Sequence, residues 1–489
     1  MAKTPRTSLM WFRQDLRLAD QPALAAAMAG GARVVARYVL DDKLAWAPGG
    51  AGRWWLHGSL ASLGASLRAA GADLVLRRGR AVDIIPALAA EIGAQDVHAG
   101  IAHEPAWRAA DAAVAAALAA DGRSLHLHRT STLINLEAVR SKTGTVYGMY
   151  TPFARTVEAL GEPAEPLPAP ARIPGAAASS DRLEDLGLLP KKPDWAAAFS
   201  ATWQPGEAAA QKRLRLFVGE AVAHYGTGRN LPGEDGTSML SPHLHFGELS
   251  PRQVWHASRV QGDAADHHTY RRELIWRDFS AYLLWHHPTL PEVPLRPAFA
   301  KLAFREDAGD LSAWQRGRTG VPIVDAGMRQ LEQIGWMHNR VRMIAASFLV
   351  KHLLISWTAG EAWFWGRLVD ADLASNSASW QWVAGTGIDS QPFFRVFNPV
   401  TQGERFDPDG AYVRRFVPEL ARLPAKYLHA PWTAPQTELA KAGIELGRNY
   451  PRPLIDLAQG RNRALEVYRR TVREAGQGTE QDIAEEPRA

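Results

Sequence analysis

Five short apolar runs, at positions 8–12, 33–39, 73–76, 96–98 and 124–127, alternate with Ala- and Leu-rich stretches at 21–28, 53–70, 82–92 and 106–119. Neighbouring parallel strands cannot be joined by a tight turn; each pair needs a crossover of a dozen or more residues, usually a helix. Alternation at this spacing predicts a five-stranded parallel sheet covered on both faces, a Rossmann-like α/β domain over residues 1–130. The turn after the first strand reads Trp11-Phe12-Arg13-Gln14-Asp15-Leu16-Arg17-Leu18 and lacks Gly-x-Gly-x-x-Gly, so the usual dinucleotide fingerprint is absent.

The alternation then stops. Residues 131–204 read as an interdomain linker, with a Pro- and Ala-rich stretch at 161–178 that has few bulky residues. From 205 to 477 the periodicity is helical, at 208–224, 251–260, 267–287, 324–334, 337–357 and 361–369. A charged tail at 478–489 is expected to be disordered. The composite expectation is α/β followed by all-α, and 489 residues exceed what one core usually organises.

Composition narrows function by exclusion. There is no cysteine, which excludes disulfides, thiolate metal ligands and a cysteine nucleophile, and which suits a reducing cytoplasm. No secretory pattern opens the sequence, and no uncharged apolar stretch reaches about 18 residues, so no membrane partner is expected. The net charge of +5 suits a polyanionic partner and equally an ordinary basic enzyme. Tryptophan is the anomaly: 13 of the 18 lie after Pro190, a density that suits core packing or stacking on planar ligands and bases.

Several segments carry large polar groups inside apolar sequence. Helical spacing sets Glu273, Trp276 and Arg277 on one face, and likewise Asn339, Arg342 and Met343; an internal ion-pair network would explain both as well as a ligand site would. Asp370 and Asp372 precede Asn376 and the pair Trp380-x-Trp382; basic neighbours argue against a divalent metal there, and no metal is expected. The stretch Gly236-Thr237-Ser238-Met239-Leu240-Ser241-Pro242 offers hydroxyls and amides ahead of a helix, either as a phosphate cradle or as a cap. His243-x-His245 is better explained by packing or capping than by metal binding.

The run Gly335-Trp336-Met337-His338-Asn339-Arg340-Val341-Arg342-Met343 resembles the DNA photolyase/cryptochrome family. So do Trp380-Gln381-Trp382, Phe397-Asn398-Pro399-Val400-Thr401-Gln402-Gly403, Glu273-Leu274-Ile275-Trp276-Arg277 and the turn at Trp11–Arg17. The likeness runs in order over nearly the whole chain and is greatest to class I-like photolyases of cyclobutane pyrimidine dimers (CPD).

The resemblance implies a light-driven carbon–carbon lyase that repairs such dimers in UV-damaged DNA with FAD, working as a cytoplasmic monomer without an obligate protein partner. Tyr225, Thr237, Ser238, Met239, Leu240, Ser241, Tyr270, Glu273, Arg277, Asn339, Arg342, Asp370, Ala371, Asp372 and Asn376 match cofactor positions. Among them Arg342 and Asp370 match an ion pair beside the flavin ring, and Asn376 the amide facing N5. Glu273, Trp276, Asn339 and Met343 match the residues that receive the lesion, and Arg229, Trp276, Asn339, Arg340, Trp382 and Gln402 match DNA contacts. Trp380 and Trp357 match the first two members of an electron-transfer chain whose third position is Phe304, so Trp314, Trp363 or Trp365 is expected to substitute. Tyr270 stands where the family commonly has tryptophan. Glu104 matches a contact to a methenyltetrahydrofolate antenna, whereas Arg53-Trp54-Trp55-Leu56 looks more like relatives with other pigments, 8-hydroxy-5-deazaflavin being the next choice. The alternatives are a cryptochrome-type photoreceptor and a (6-4) photolyase; the latter favours histidines around Asn339 and Met343, where only His338 occurs.

Overall fold

The structure is a computed structural model that describes residues 6–259, 264–389 and 395–474. The expected alternation is present: β1 (Thr7–Phe12), α1 (Pro22–Ala27), β2 (Arg33–Leu40), α2 (Gly50–Ala70), β3 (Leu74–Arg78), α3 (Ala81–Glu91), β4 (Asp96–Gly100), α4 (Pro105–Ala120) and β5 (Ser124–His128). All neighbours are parallel, in the order β3-β2-β1-β4-β5. Leu9, Trp11, Val35, Val39, Val75 and Val97 project from the strands onto Ile85, Leu88, Val114 and Leu118 of α3 and α4, closing one face. Right-handed crossovers put α2 over the other, with Leu56, Leu60, Leu63 and Leu67 buried at helical spacing.

The order reverses between β1 and β4, and such a switch point opens a crevice at the strands' carboxyl ends. Arg13, just past β1, is buried against Asp111 at 2.6 Å and lies over the rings of Trp11 and Trp107. Past β4 come His103 and Glu104. The Pro- and Ala-rich stretch forms no helix, yet Gly175 pairs with Val34 of β2. A Cβ at Gly175 would fall 2.5 Å from the Gly71 carbonyl oxygen, so only glycine permits this approach.

At the outer strands His98 Nδ1 lies 3.1 Å from His128 Nε2, while His126 stacks on His98 and bonds Asp96 at 2.8 Å. Burial, with repulsion from His126 and His128, pushes His98 down to about 4, so it is neutral in the fold. The unfolded chain therefore takes up its proton first. The stability His98 contributes is complete above about pH 6.5 and is lost as pH falls towards 4, on the order of 1–2 kcal/mol after solvent screening. Urea unfolding from pH 7.5 to 4.5 should show stability falling, and His98→Gln should make the fall shallower, with other histidines that burial holds down, among them His128 and His352, contributing the remainder.

By backbone contacts the chain divides into two compact units. One comprises residues 1–223, 238–288 and 369–374; the other comprises 224–237, 289–368 and 375–489. In the second unit, residues 337–357 were expected to form one helix and do not. An α-helix, Asn339–Ser347, passes into a π turn, Phe348–His352, and a new helix begins at Trp357–Arg367. Leu354 takes φ +56°, which a right-handed helix cannot contain, and Ser356 caps the new start by accepting from Thr358 N. Arg305 satisfies carbonyls at the break, with its backbone N–H on Leu354 O and its guanidinium on Leu353 O. Among the described residues no helix is long and apolar enough to cross a membrane.

Candidate functional site

In the first unit the helix Ala264–His286 carries Tyr270, Glu273, Trp276 and Arg277. Leu274, Ile275, Asp278 and Phe279 form its buried side, which leaves Glu273, Trp276 and Arg277 half-buried. Asp278 fixes the helix: its Oδ2 accepts from Leu133 N at 2.7 Å and from Ile134 N at 3.1 Å, and burial pushes its carboxyl up to about 6. Arg277 donates to Ser131 O and, at 3.2 Å, to Leu244 O, so part of its donor set is spent on tertiary structure.

Ser238, Met239, Leu240 and Ser241 lead into the short helix Ser241–His245. Met239 takes φ +49°, an uncommon backbone state for a side-chain-bearing residue and one enriched at ligand clamps. Ser241 Oγ donates to Asp370 Oδ2 at 2.6 Å, which joins two segments that were expected separately. Tyr270 is buried against Phe217 and hydrogen-bonds Ser238; burial raises its hydroxyl pKa, so it remains protonated. Ala371 is buried beside Asp372. Burial opposes ionisation of Asp372, but His245, His103 and Arg277 outweigh it and hold the carboxyl well below its usual range. His245 Nδ1 lies 3.6 Å and His103 Nε2 4.0 Å from Asp372 Oδ2. His243 instead bonds Glu248, so the two histidines of His-x-His serve different carboxylates, in keeping with packing and not chelation. Glu104 is buried with neither carboxylate oxygen hydrogen-bonded, 4.0 Å from His103.

In the second unit, residues 224–237 fold back on themselves. A Cβ at Gly236 would fall 2.4 Å from Gly228 O, so two glycine backbones touch. Buried Tyr225 lies beneath the Arg229 guanidinium at 5.4 Å, and Thr237 closes the segment. Asn339 is exposed at the first turn of its helix. Arg340 donates to Asn230 Oδ1, lies over Phe406 at 4.4 Å and approaches Met343 Sδ at 3.9 Å. Arg342 Nε donates to Met337 O at 2.7 Å. His338 caps this helix by accepting from Arg340 N. Burial first, then Arg340, Arg342 and Arg229, push it down to about 3, so it is neutral.

Asn376 donates Nδ2 to Glu361 O at 3.1 Å, which orients the amide. Glu361 was missed in the sequence, since a lone glutamate in a Trp-rich helix carries no signal. Burial pushes its carboxyl up to about 8, and that carboxyl accepts from Ser377 Oγ, so Glu361 holds Asn376 through its main-chain carbonyl and Ser377 through a side chain that is uncharged at neutral pH. Trp380 and Trp357 are buried; Trp380 stands edge-on to Phe364 at 5.0 Å and to Trp314 at 6.3 Å. Phe304, Trp382 and Gln402 are half-buried.

The donor sets fit the expected cofactor. In the second unit Arg229 and Thr237 supply a guanidinium and a hydroxyl, groups suited to phosphates, and in the first unit Ser238 and Ser241 flank Met239 with hydroxyls suited to a ribityl chain. The fixed amide of Asn376 suits a flavin ring nitrogen.

Fold and donor sets together define a photolyase-type flavoprotein. Residues 8–171 match the family described as DNA photolyase, and residues 270–470 match the FAD binding domain of DNA photolyase. The chain is 48% identical over 465 residues to the deoxyribodipyrimidine photo-lyase of Agrobacterium fabrum, covering 94% of this chain and 97% of that one. It is 36% identical to cryptochrome-1 of Arabidopsis thaliana, covering 94% and 70%. A crystal structure of a bacterial class III photolyase from Agrobacterium tumefaciens superposes with a TM-score of 0.94 at 46% identity, covering 97% and 99%. The chain belongs to the DNA photolyase/cryptochrome family and is a photolyase-type lyase with an FAD-binding domain. The class III neighbour lends no support to a class I-like placement.

Proposed function

We propose that the chain repairs cyclobutane pyrimidine dimers in UV-damaged DNA under blue light, as a cytoplasmic monomer. The observation that carries this is Trp276, a half-buried indole set between Glu273 and Arg277 on a helix whose other side is locked by Asp278. Reduced FAD, when bound, supplies the photoexcited electron. A dimer is unreachable inside a duplex and must be flipped out, which a distorted lesion resists less than a normal pair. Trp276 gives the flipped bases a stacking plate. Glu273 accepts from a base N–H, and the Asn339 amide donates to a base carbonyl, the donated bond favouring negative charge on the dimer as its ring opens. Arg229, Arg340, Trp382 and Gln402 hold the flanking strand. Arg342 and Asp370 are assigned to the flavin ring, where the arginine's charge favours the reduced anion, and Asn376 to its N5.

His338 acts here as a cap and is held neutral, which gives no support to a histidine-dependent (6-4) reaction. Purified protein, flavin-reduced and illuminated, should convert an oligonucleotide with one thymine dimer to intact thymines by chromatography. Flavin binding without conversion would overturn this reading in favour of a photoreceptor or a (6-4) photolyase.

Two subsidiary assignments follow. Glu104, buried without hydrogen bonds, is proposed to meet a donor-bearing antenna, methenyltetrahydrofolate before 8-hydroxy-5-deazaflavin. For electron supply, Trp380 and Trp357 are the proposed first carriers, and Trp314 is a branch because its ring lies 6.3 Å from Trp380. Trp314→Phe should slow flavin photoreduction several-fold under steady blue light with external thiol, and Phe304→Trp should accelerate it. An unchanged rate in Trp314→Phe would remove the branch.

A further inference from the structure

We propose that Tyr150, at the start of the helix Tyr150–Ala159, is a positioning residue that holds Trp276 in the orientation that receives a flipped pyrimidine pair. The inference rests on Trp276 being the lesion plate. The two rings are face to face, with centroids 3.5 Å apart and planes 4° from parallel. Tyr150 is buried and covers one face of the indole, while Trp276 remains half-buried.

A face-to-face pair with so little offset is not the arrangement that ring quadrupoles prefer. Surrounding contacts hold it. The Tyr150 hydroxyl donates to Arg272 O at 3.0 Å, which pins the far end of the ring to the helix that carries Trp276. Phe279 presents an edge to both rings, at 5.8 Å in each case, and Phe153 packs on Phe279 at 5.0 Å. Burial pushes the Tyr150 hydroxyl up to about 12, so it stays a donor throughout the working pH range. Without Tyr150 the indole would regain rotamers, and each productive encounter would have to fix them again. Tyr150 itself then needs no contact with DNA.

A purely structural aromatic would lower the unfolding midpoint and leave discrimination between damaged and intact DNA unchanged. The test is a set of full-length variants, Tyr150→Ala, Tyr150→Leu, Tyr150→Phe, Trp276→Ala and the double Tyr150→Ala/Trp276→Ala. Each is titrated with an oligonucleotide carrying one thymine dimer and with its undamaged counterpart. Tyr150→Ala should bind the dimer about 3- to 10-fold more weakly, with unchanged affinity for undamaged DNA and unchanged repair per absorbed photon at saturation. Tyr150→Phe should fall between wild type and Tyr150→Ala, since the ring and its Phe279 contact remain while the hydroxyl tether to Arg272 O is lost. In the Trp276→Ala background, Tyr150→Ala should have no further effect, because it acts through the indole.

Weakened dimer binding in Trp276→Ala with none in Tyr150→Ala would overturn the inference and leave the lesion plate standing. A Trp276→Ala protein that binds the dimer normally would overturn the lesion plate itself. An undiminished Tyr150→Ala effect in the double variant would also sink the inference. If Tyr150→Ala does not fold, Tyr150→Leu removes the stack at closer volume and decides the same question.

Discussion

Trp276→Ala should weaken binding to dimer-containing DNA by about 10- to 100-fold, since base–aromatic stacking contributes roughly 1–3 kcal/mol per base and the plate serves two fused bases. Flavin content and the affinity for undamaged DNA should be unchanged. The physical basis is local. Asp278 and Arg277 anchor the helix through Leu133, Ile134, Ser131 and Leu244, so removing the indole opens a plate and does not unseat the helix. Trp276→Phe should recover part of the loss through its smaller ring. Fluorescence titration at several salt concentrations checks this, because phosphate contacts carry the salt dependence and stacking does not. Dimer binding by Trp276→Ala at the wild-type affinity would contradict it.

Gly360→Ala is the second substitution expected to have a large effect. A Cβ there would lie 2.1 Å from Trp380 Cη2 and within 2.7 Å of two further ring carbons, so the indole must move. Trp380 is buried between Phe364 and Trp314, and overpacking of such a site costs about 1–3 kcal/mol. The unfolding midpoint in urea should fall accordingly, and flavin photoreduction should slow because the first carrier is displaced. Gly366→Ala is the control. It lies on the same helix, Trp357–Arg367, with nothing within 4 Å of its Cβ, and helix propensity alone should make it neutral or slightly stabilising. Photoreduction at the wild-type rate in Gly360→Ala would mean that Trp380 is not on the electron path.

The site was unevenly legible in the sequence. Glu273, Trp276 and Arg277 share a helix, so 3.6-residue periodicity alone places them together. Ser241 and Asp370 are 129 residues apart, and no local pattern announces the 2.6 Å bond between their side chains. Tyr150 lay in what was read as linker, and only packing of its helix on Ala264–His286 reveals the stack. Glu361 and His103 were invisible for a related reason: burial gives them their chemistry, and burial of a single polar residue leaves no periodic trace.

The α/β alternation with which the sequence opens was sufficient to determine the parallel sheet, because a crossover helix is the only economical connection between parallel strands. The long, unusual C-terminal motifs were likewise sufficient to determine family and cofactor class. Tertiary structure alone decided where the 337–357 helix breaks, since a left-handed residue at Leu354 is compensated by Arg305, more than 40 positions away. It also decided which acids are charged. Asp372, with two histidines and an arginine around it, stays ionised, whereas Glu361, with a serine hydroxyl as its partner, stays neutral. Side-chain type fixes what a residue can do, but desolvation and neighbouring charge fix its state, and both depend on residues that only the fold brings together.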